Sequence, residues 1–194
     1  MRAALLLLLV SFFIAVIAAI AGAPMQDSNL PQFNAKNELT KPENYREWIW
    51  LSSGIGMSYA ASAQAAPNNP PFDNVFVAPA AYRSFLQTGK WPDKTMFVLE
   101  LRASQSEGSI NRQGRFQGNL RGIEVEVKDE SRFQGGWAFY DFPGSARTAT
   151  PLDKSAACYS CHAQNGAVDN TFVQFYPTLI DIAKQKGTFK ESQK

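Results

Sequence analysis

Histidine occurs once in this chain of 194 residues, and cysteine only twice. A structural zinc centre draws four ligands from Cys, His and carboxylates, so the Cys/His sets of zinc fingers and ribbons are out of reach. Nor can a disulfide framework of the small secreted kind be built from one pair of thiols. Charge of one sign is also missing: 19 basic residues stand against 17 acidic ones, with no clustered Lys/Arg face, which argues against a nucleic-acid partner. Long apolar runs are confined to one place. Residues 3 to 25 carry no charge, run through Leu5–Leu9 and Phe12-Phe13-Ile14, follow Arg2, and end among small residues at Ala19-Ile20-Ala21.

That run predicts a secretory signal peptide over residues 1–21, cut after Ala21, with residues 22–194 forming one exported domain. The alternative is an uncleaved anchor, since the stretch approaches the length of a membrane span. With cleavage the mature protein is expected in the periplasm, free of the membrane. Removal of Arg2 leaves 18 basic residues against 17 acidic, a nearly neutral chain.

Both cysteines and the histidine fall within Cys158-Tyr159-Ser160-Cys161-His162. A redox-active or structural disulfide across Cys-x-x-Cys would suit an exported protein, but it leaves His162 unexplained. The order Cys-x-x-Cys-His is that of covalent haem c attachment. Thiols three residues apart share one face of a helix and can both add to vinyl groups on one porphyrin edge, leaving the next imidazole for the iron. One covalent haem c is expected, bound by Cys158 and Cys161, with His162 as axial ligand. Because no second histidine exists, the other axial position is filled by a methionine, a lysine or a weak ligand, or is empty, and an open distal site is the favoured expectation. Met57 and Met96 are the methionines within the domain body, and each is more ordinary as packing than as a ligand.

The elements around this motif read as α+β: a mainly antiparallel sheet, flanking helices and a C-terminal haem-attachment helix. A short helical turn is expected over residues 42–48. Residues 52–74, rich in Ser, Ala, Asn and Pro, read as a long loop. Strands follow at 75–77, 95–103, 121–128 and 137–142, with a helix from Pro79 to Gly89 after the first. Consecutive strands suggest one meander. After the haem helix, Asp169-Asn170 are read as capping a segment carrying Phe172, Phe175, Tyr176, Leu179 and Ile182.

Taken in order, Asn44-Tyr45-Arg46-Glu47-Trp48, Lys90-Trp91-Pro92-Asp93, Val98-Leu99-Glu100-Leu101, Val127-Lys128-Asp129, Gly136-Trp137-Ala138-Phe139-Tyr140, Cys158-x-x-Cys161-His162 and Phe175-Tyr176-Pro177 resemble the cytochrome P-460 family. The resemblance implies a mainly antiparallel β fold, a homodimer and a five-coordinate haem c. It also implies either oxidation of hydroxylamine and nitric oxide by a lysine-crosslinked haem or, in a group similar to cytochrome c′-beta, gas binding without the crosslink. The crosslinking lysine of the family aligns with Leu99, so no such bond is expected; Lys90 and Lys94 fall in the turn before that strand. The distal, proton-transferring glutamate aligns with Glu124. Glu126 shares its face and by pattern alone reads as solvated. Phe97 and Leu99 are expected to face the haem, and Trp137 to be a core aromatic. Three functions are thus in play: a haem protein binding nitric oxide or related small nitrogen species, a hydroxylamine or nitric oxide oxidoreductase served by a soluble redox partner, and a Met-ligated electron carrier.

Overall fold

The computed structural model describes residues 29–57 and 69–191; the expected signal peptide lies outside them. Among the described residues, seven strands, β1 (Leu39–Thr40), β2 (Ile49–Ile55), β3 (Phe72–Val77), β4 (Met96–Gln105), β5 (Phe116–Lys128), β6 (Trp137–Phe142) and β7 (Thr148–Ala149), accompany three α-helices, α1 (Pro79–Thr88), α2 (Ala157–Asn165) and α3 (Ile180–Gln185). Strands β2 to β6 form one antiparallel sheet in chain order, and β1 pairs with β7 in a small second sheet. The fold is therefore α+β, a meander flanked by helices, as the residue pattern implies. Among the described residues no helix is long and apolar enough to cross a membrane.

Local chemistry accounts for the boundaries. Pro79 starts α1, where its missing N–H costs nothing, and Gly89 ends it at φ 69°, a left-handed conformation that glycine adopts without strain. The reversal between β5 and β6 rests on Gly135 and Gly136, both at positive φ.

Alternation gives the large sheet two faces. On one, Val75, Phe97, Leu99, Glu124, Glu126 and Phe139 lie together; on the other, Phe76, Val98, Val125, Tyr140 and Phe142 are buried. The second face is covered by the N-terminal segment, where Tyr45 meets Phe76 edge-on at 5.6 Å. The first face carries the C-terminal helices, and α1 joins it through Phe85 on Trp91 (4.1 Å) and Trp91 on Phe97 (4.8 Å).

Two expectations needed correction. Residues 52–74 are not one loop: β2 runs to Ile55 and β3 begins at Phe72. The sequence Ile-Trp-Leu-Ser-Ser-Gly-Ile hides its strand because β2 is an edge with a register shift after Trp50, and exposed Trp50 and Ile55 break the simple alternation. The segment after α2 is not a helix capped by Asp169-Asn170 either. It divides into a 3₁₀ turn at Val173–Phe175 and the short α3, with Pro177 between, and Asp169 and Asn170 are consecutive left-handed residues.

Behind the sheet, Glu100 is fully buried and accepts hydrogen bonds from Tyr45 Oη (2.6 Å), Arg102 Nε (2.7 Å), Arg46 Nη1 (2.9 Å) and Asn74 Nδ2 (3.1 Å). Burial pushes this carboxyl up, but the bonds from Arg102, Tyr45 and Asn74 outweigh it and hold the group below the usual carboxylate range. A depressed folded value stabilises the protein above the unfolded titration range and loses that contribution as pH falls through the folded one. Glu100→Gln is expected to lower the urea-unfolding free energy by about 3 kcal/mol at neutral pH, with the gap to wild type closing in acid.

Candidate functional site

A cavity of about 340 Å³ lies between the first sheet face and helix α2. Its floor includes Val75, Leu99 and Glu124, each opposite the next on adjacent strands, and Asp141 continues the row beyond the lining. The neighbouring row is Val77, Phe97, Glu126 and Phe139. Cys158, Cys161 and His162 line the roof, and Phe172, Phe175 and Tyr176 close one side.

Helix α2 contributes no fully buried residue. Its inward side meets the cavity, with both thiols free and unpaired to each other. Burial, then the negative charge of Glu124, pushes the Cys158 thiol above its ordinary range. The imidazole of His162 is held between Phe139 (4.5 Å) and Phe172 (4.3 Å). Its Nδ1 donates to the Asn170 carbonyl at 2.8 Å. That bond places the proton on Nδ1 and leaves the Nε2 lone pair directed into the cavity, where the Glu126 carboxyl lies 3.5 Å away. Two thiols on one helix face, an imidazole of fixed tautomer and an apolar chamber suit a covalently held haem.

Leu99 and Phe97 both line the cavity, and Leu99 sits directly opposite Glu124. No lysine is among the lining residues. Lys94 instead pairs with Asp129 in its turn, and Lys90 is exposed. Trp137 is buried against Phe97 at 6.2 Å, behind the cavity rather than on its wall. Met96 is buried on the far side of the sheet. Met57 does line the cavity, but beside Gly54 and Asp73 on β2 and β3, whereas His162 faces Glu126 on β5. Three strand spacings make that separation roughly 14 Å across the sheet.

Sequence reasoning missed three groups. Glu126, read as solvated, faces the cavity, because both faces of β5 are covered at this point and the sheet is not wet on one side. Asp73 was lost inside the supposed loop. The Asn170 carbonyl, a backbone atom, leaves no side-chain signature; two adjacent residues tolerant of positive φ, Asp169-Asn170, were its one trace.

Family comparison decides the assignment. The family profile of Cytochrome P460 matches residues 42–173, more than half of the chain. The chain belongs to the cytochrome P460 family. Membership implies a haem cofactor, and the cytochrome P460 match takes in the Cys-x-x-Cys-His helix, Glu124, Glu126 and the turn that holds His162. No curated protein matches the chain.

The carboxyls of this cytochrome P460 cavity share one tendency. Glu124 keeps surface open to the cavity, yet crowding by protein raises it, reinforced by Asp141 and Asp73. Burial also raises Asp73. Glu126 is raised most by burial, with His162 opposing and Glu124 adding. For such an acid the folded state prefers the proton, so stability is full below the unfolded titration range and is lost as pH rises through the folded one. Glu124→Gln should therefore gain on wild type in thermal denaturation as pH moves from acidic to alkaline, and be indistinguishable from it in acid.

Proposed function

We propose that this protein is an exported mono-haem c cytochrome with an exchangeable distal position that binds nitric oxide or a related small nitrogen species. The observation that carries the reading is the contrast between the two walls of one cavity. The roof offers an imidazole lone pair and two thiols; the floor offers the side chains of Leu99, Phe97 and Val75 beside the carboxyls of Glu124 and Glu126. Cys158 and Cys161 would hold the haem through thioethers, with His162 as its axial ligand. Bound there, the haem would supply an iron centre for ligand binding and electron transfer. Leu99 and Phe97 exclude water from the floor, which favours small neutral ligands over ions. Cleavage of the leader would leave the protein soluble in the periplasm, and family resemblance favours a homodimer.

A second reading, hydroxylamine or nitric oxide oxidation, draws support from Glu124. Its carboxyl sits on the cavity floor beside the apolar wall, with Asp141 as its strand partner. Burial, then the charges of Asp141 and Asp73, raise its pKa, which makes the carboxyl a stronger proton acceptor, as proton-coupled oxidation requires. A soluble redox partner would take the electrons. The absence of a lysine from the lining favours the binding reading, and the remoteness of Met57 and Met96 speaks against a Met-ligated carrier.

Absorption and EPR spectra of the purified ferric protein test the coordination: a high-spin signal is expected, and a low-spin spectrum with a Met–iron band would refute it. Covalent haem should survive denaturing electrophoresis in wild type and be lost in the Cys158→Ser, Cys161→Ser double variant. Leu99→Gln, which places an amide and its water on the floor, should weaken nitric oxide binding about tenfold, or 1.4 kcal/mol. Anaerobic mixing with hydroxylamine and an electron acceptor separates the two readings. Turnover above that of free haem, abolished in Glu124→Gln, would establish the oxidoreductase.

A further inference from the structure

We infer that Lys128, acting through Asp169, is a positioning residue that sets the strength of His162 as an iron ligand; the inference rests on the haem ligation proposed above. Lys128 ends β5, on the same face as Glu124 and Glu126 but beyond the cavity, and it is buried. A buried ammonium needs partners to offset its lost hydration. Lys128 Nζ finds them in the Trp91 carbonyl at 2.9 Å and in Asp169 Oδ2 at 2.6 Å, with Glu130 at 3.3 Å.

Asp169 belongs to the turn whose next residue, Asn170, presents its carbonyl to His162 Nδ1. Both residues are left-handed, with φ of 47° and 62°. Two such residues in succession cost about 1 kcal/mol or more each and persist only where the surroundings over-determine them. Here three restraints do so. Lys128 ties the Asp169 side chain to the sheet. Thr171, fully buried, accepts a hydrogen bond from Trp91 Nε1 at 2.8 Å and donates one to the Val168 carbonyl at 2.6 Å. Gly166, at the end of α2, lets the backbone of Asn170 approach so closely that an added Cβ would stand 2.6 Å from the Asn170 carbonyl carbon.

The chain of contacts is thus Lys128, Asp169, the Asn170 carbonyl, His162 Nδ1. A carbonyl held against Nδ1–H raises the basicity of Nε2, and one free to drift away does not. Lys128 touches neither His162 nor the cavity, so its effect passes through the turn.

Resonance Raman spectroscopy of the ferrous, haem-loaded protein reads this strength as the iron–histidine stretch, and redox titration reads it as the midpoint potential. Lys128→Met is expected to shift the stretch to lower wavenumber and the potential upward, because a less basic imidazole stabilises the ferric state less. Asp169→Gly should reproduce both shifts, since glycine keeps the left-handed backbone while removing the tether; this variant decides the matter if Lys128→Met fails to fold. The double variant should add nothing to either single one, and Lys128→Arg, which retains a cation for Asp169, should recover most of the wild-type frequency. Unchanged stretch and potential in folded, haem-loaded Lys128→Met and Asp169→Gly would overturn the inference. A wild-type protein with covalent haem but no iron–histidine band would instead overturn the ligation reading beneath it.

Discussion

One hydrogen bond, from His162 Nδ1 to the Asn170 carbonyl, orders everything else at the site. Without it either ring nitrogen could carry the proton, and the cavity has no defined donor atom. With it, Nε2 faces the carboxyl and apolar floor of the sheet. Phe139 and Phe172 complete the restraint by filling the space on either side of the ring. The bond exists because the chain reverses through two left-handed residues immediately after helix α2, and that reversal is itself braced against β5 and the Trp91 turn.

The cavity owes its mixed chemistry to strand register. In an antiparallel sheet a row perpendicular to the strands takes one residue from each, so the row Val75, Leu99, Glu124, Asp141 passes from apolar to acidic within four strands, its first three members on the cavity wall. A slip of one residue in β5 would replace Glu124 and Glu126 with Ile123, Val125 and Val127 and carry both carboxyls to the far face. The alternation that buries the far core is thus the same alternation that delivers acids to the cavity. The two carboxyl environments in the molecule differ accordingly: Glu100, surrounded by cations and donors, is held ionised, whereas Glu124 and Glu126, short of donors, favour their protons.

What could be read from sequence were features written in side chains at short range. The Cys-x-x-Cys-His run, the Pro79 and Gly89 ends of α1, and the alternation of β4 and β5 all announce themselves within a dozen residues. Leu99 and Glu124 were located by family resemblance, and the structure sets them side by side. What escaped depended on neighbours distant in the chain. Glu126 looks solvated until α2 is laid over it; β2 looks like loop until β3 pairs with it; the Asn170 carbonyl is a backbone atom in a turn whose braces, Trp91 and Lys128, lie about eighty and forty residues earlier.

The order of the strands bears on how the molecule is assembled. Strands β2 to β6 pair only with their chain neighbours, a topology of mostly local contacts whose loop-closure cost is small at each step. The β1–β7 pairing, by contrast, joins Leu39 to Ala149 and closes a far longer stretch of chain. β7 lies between β6 and α2, so the small sheet anchors the chain ahead of the attachment helix. The floor of the cavity thus rests on pairings between chain neighbours and its roof on the chain beyond them, so a porphyrin tethered to the roof would face a surface whose shape is set by the strands alone.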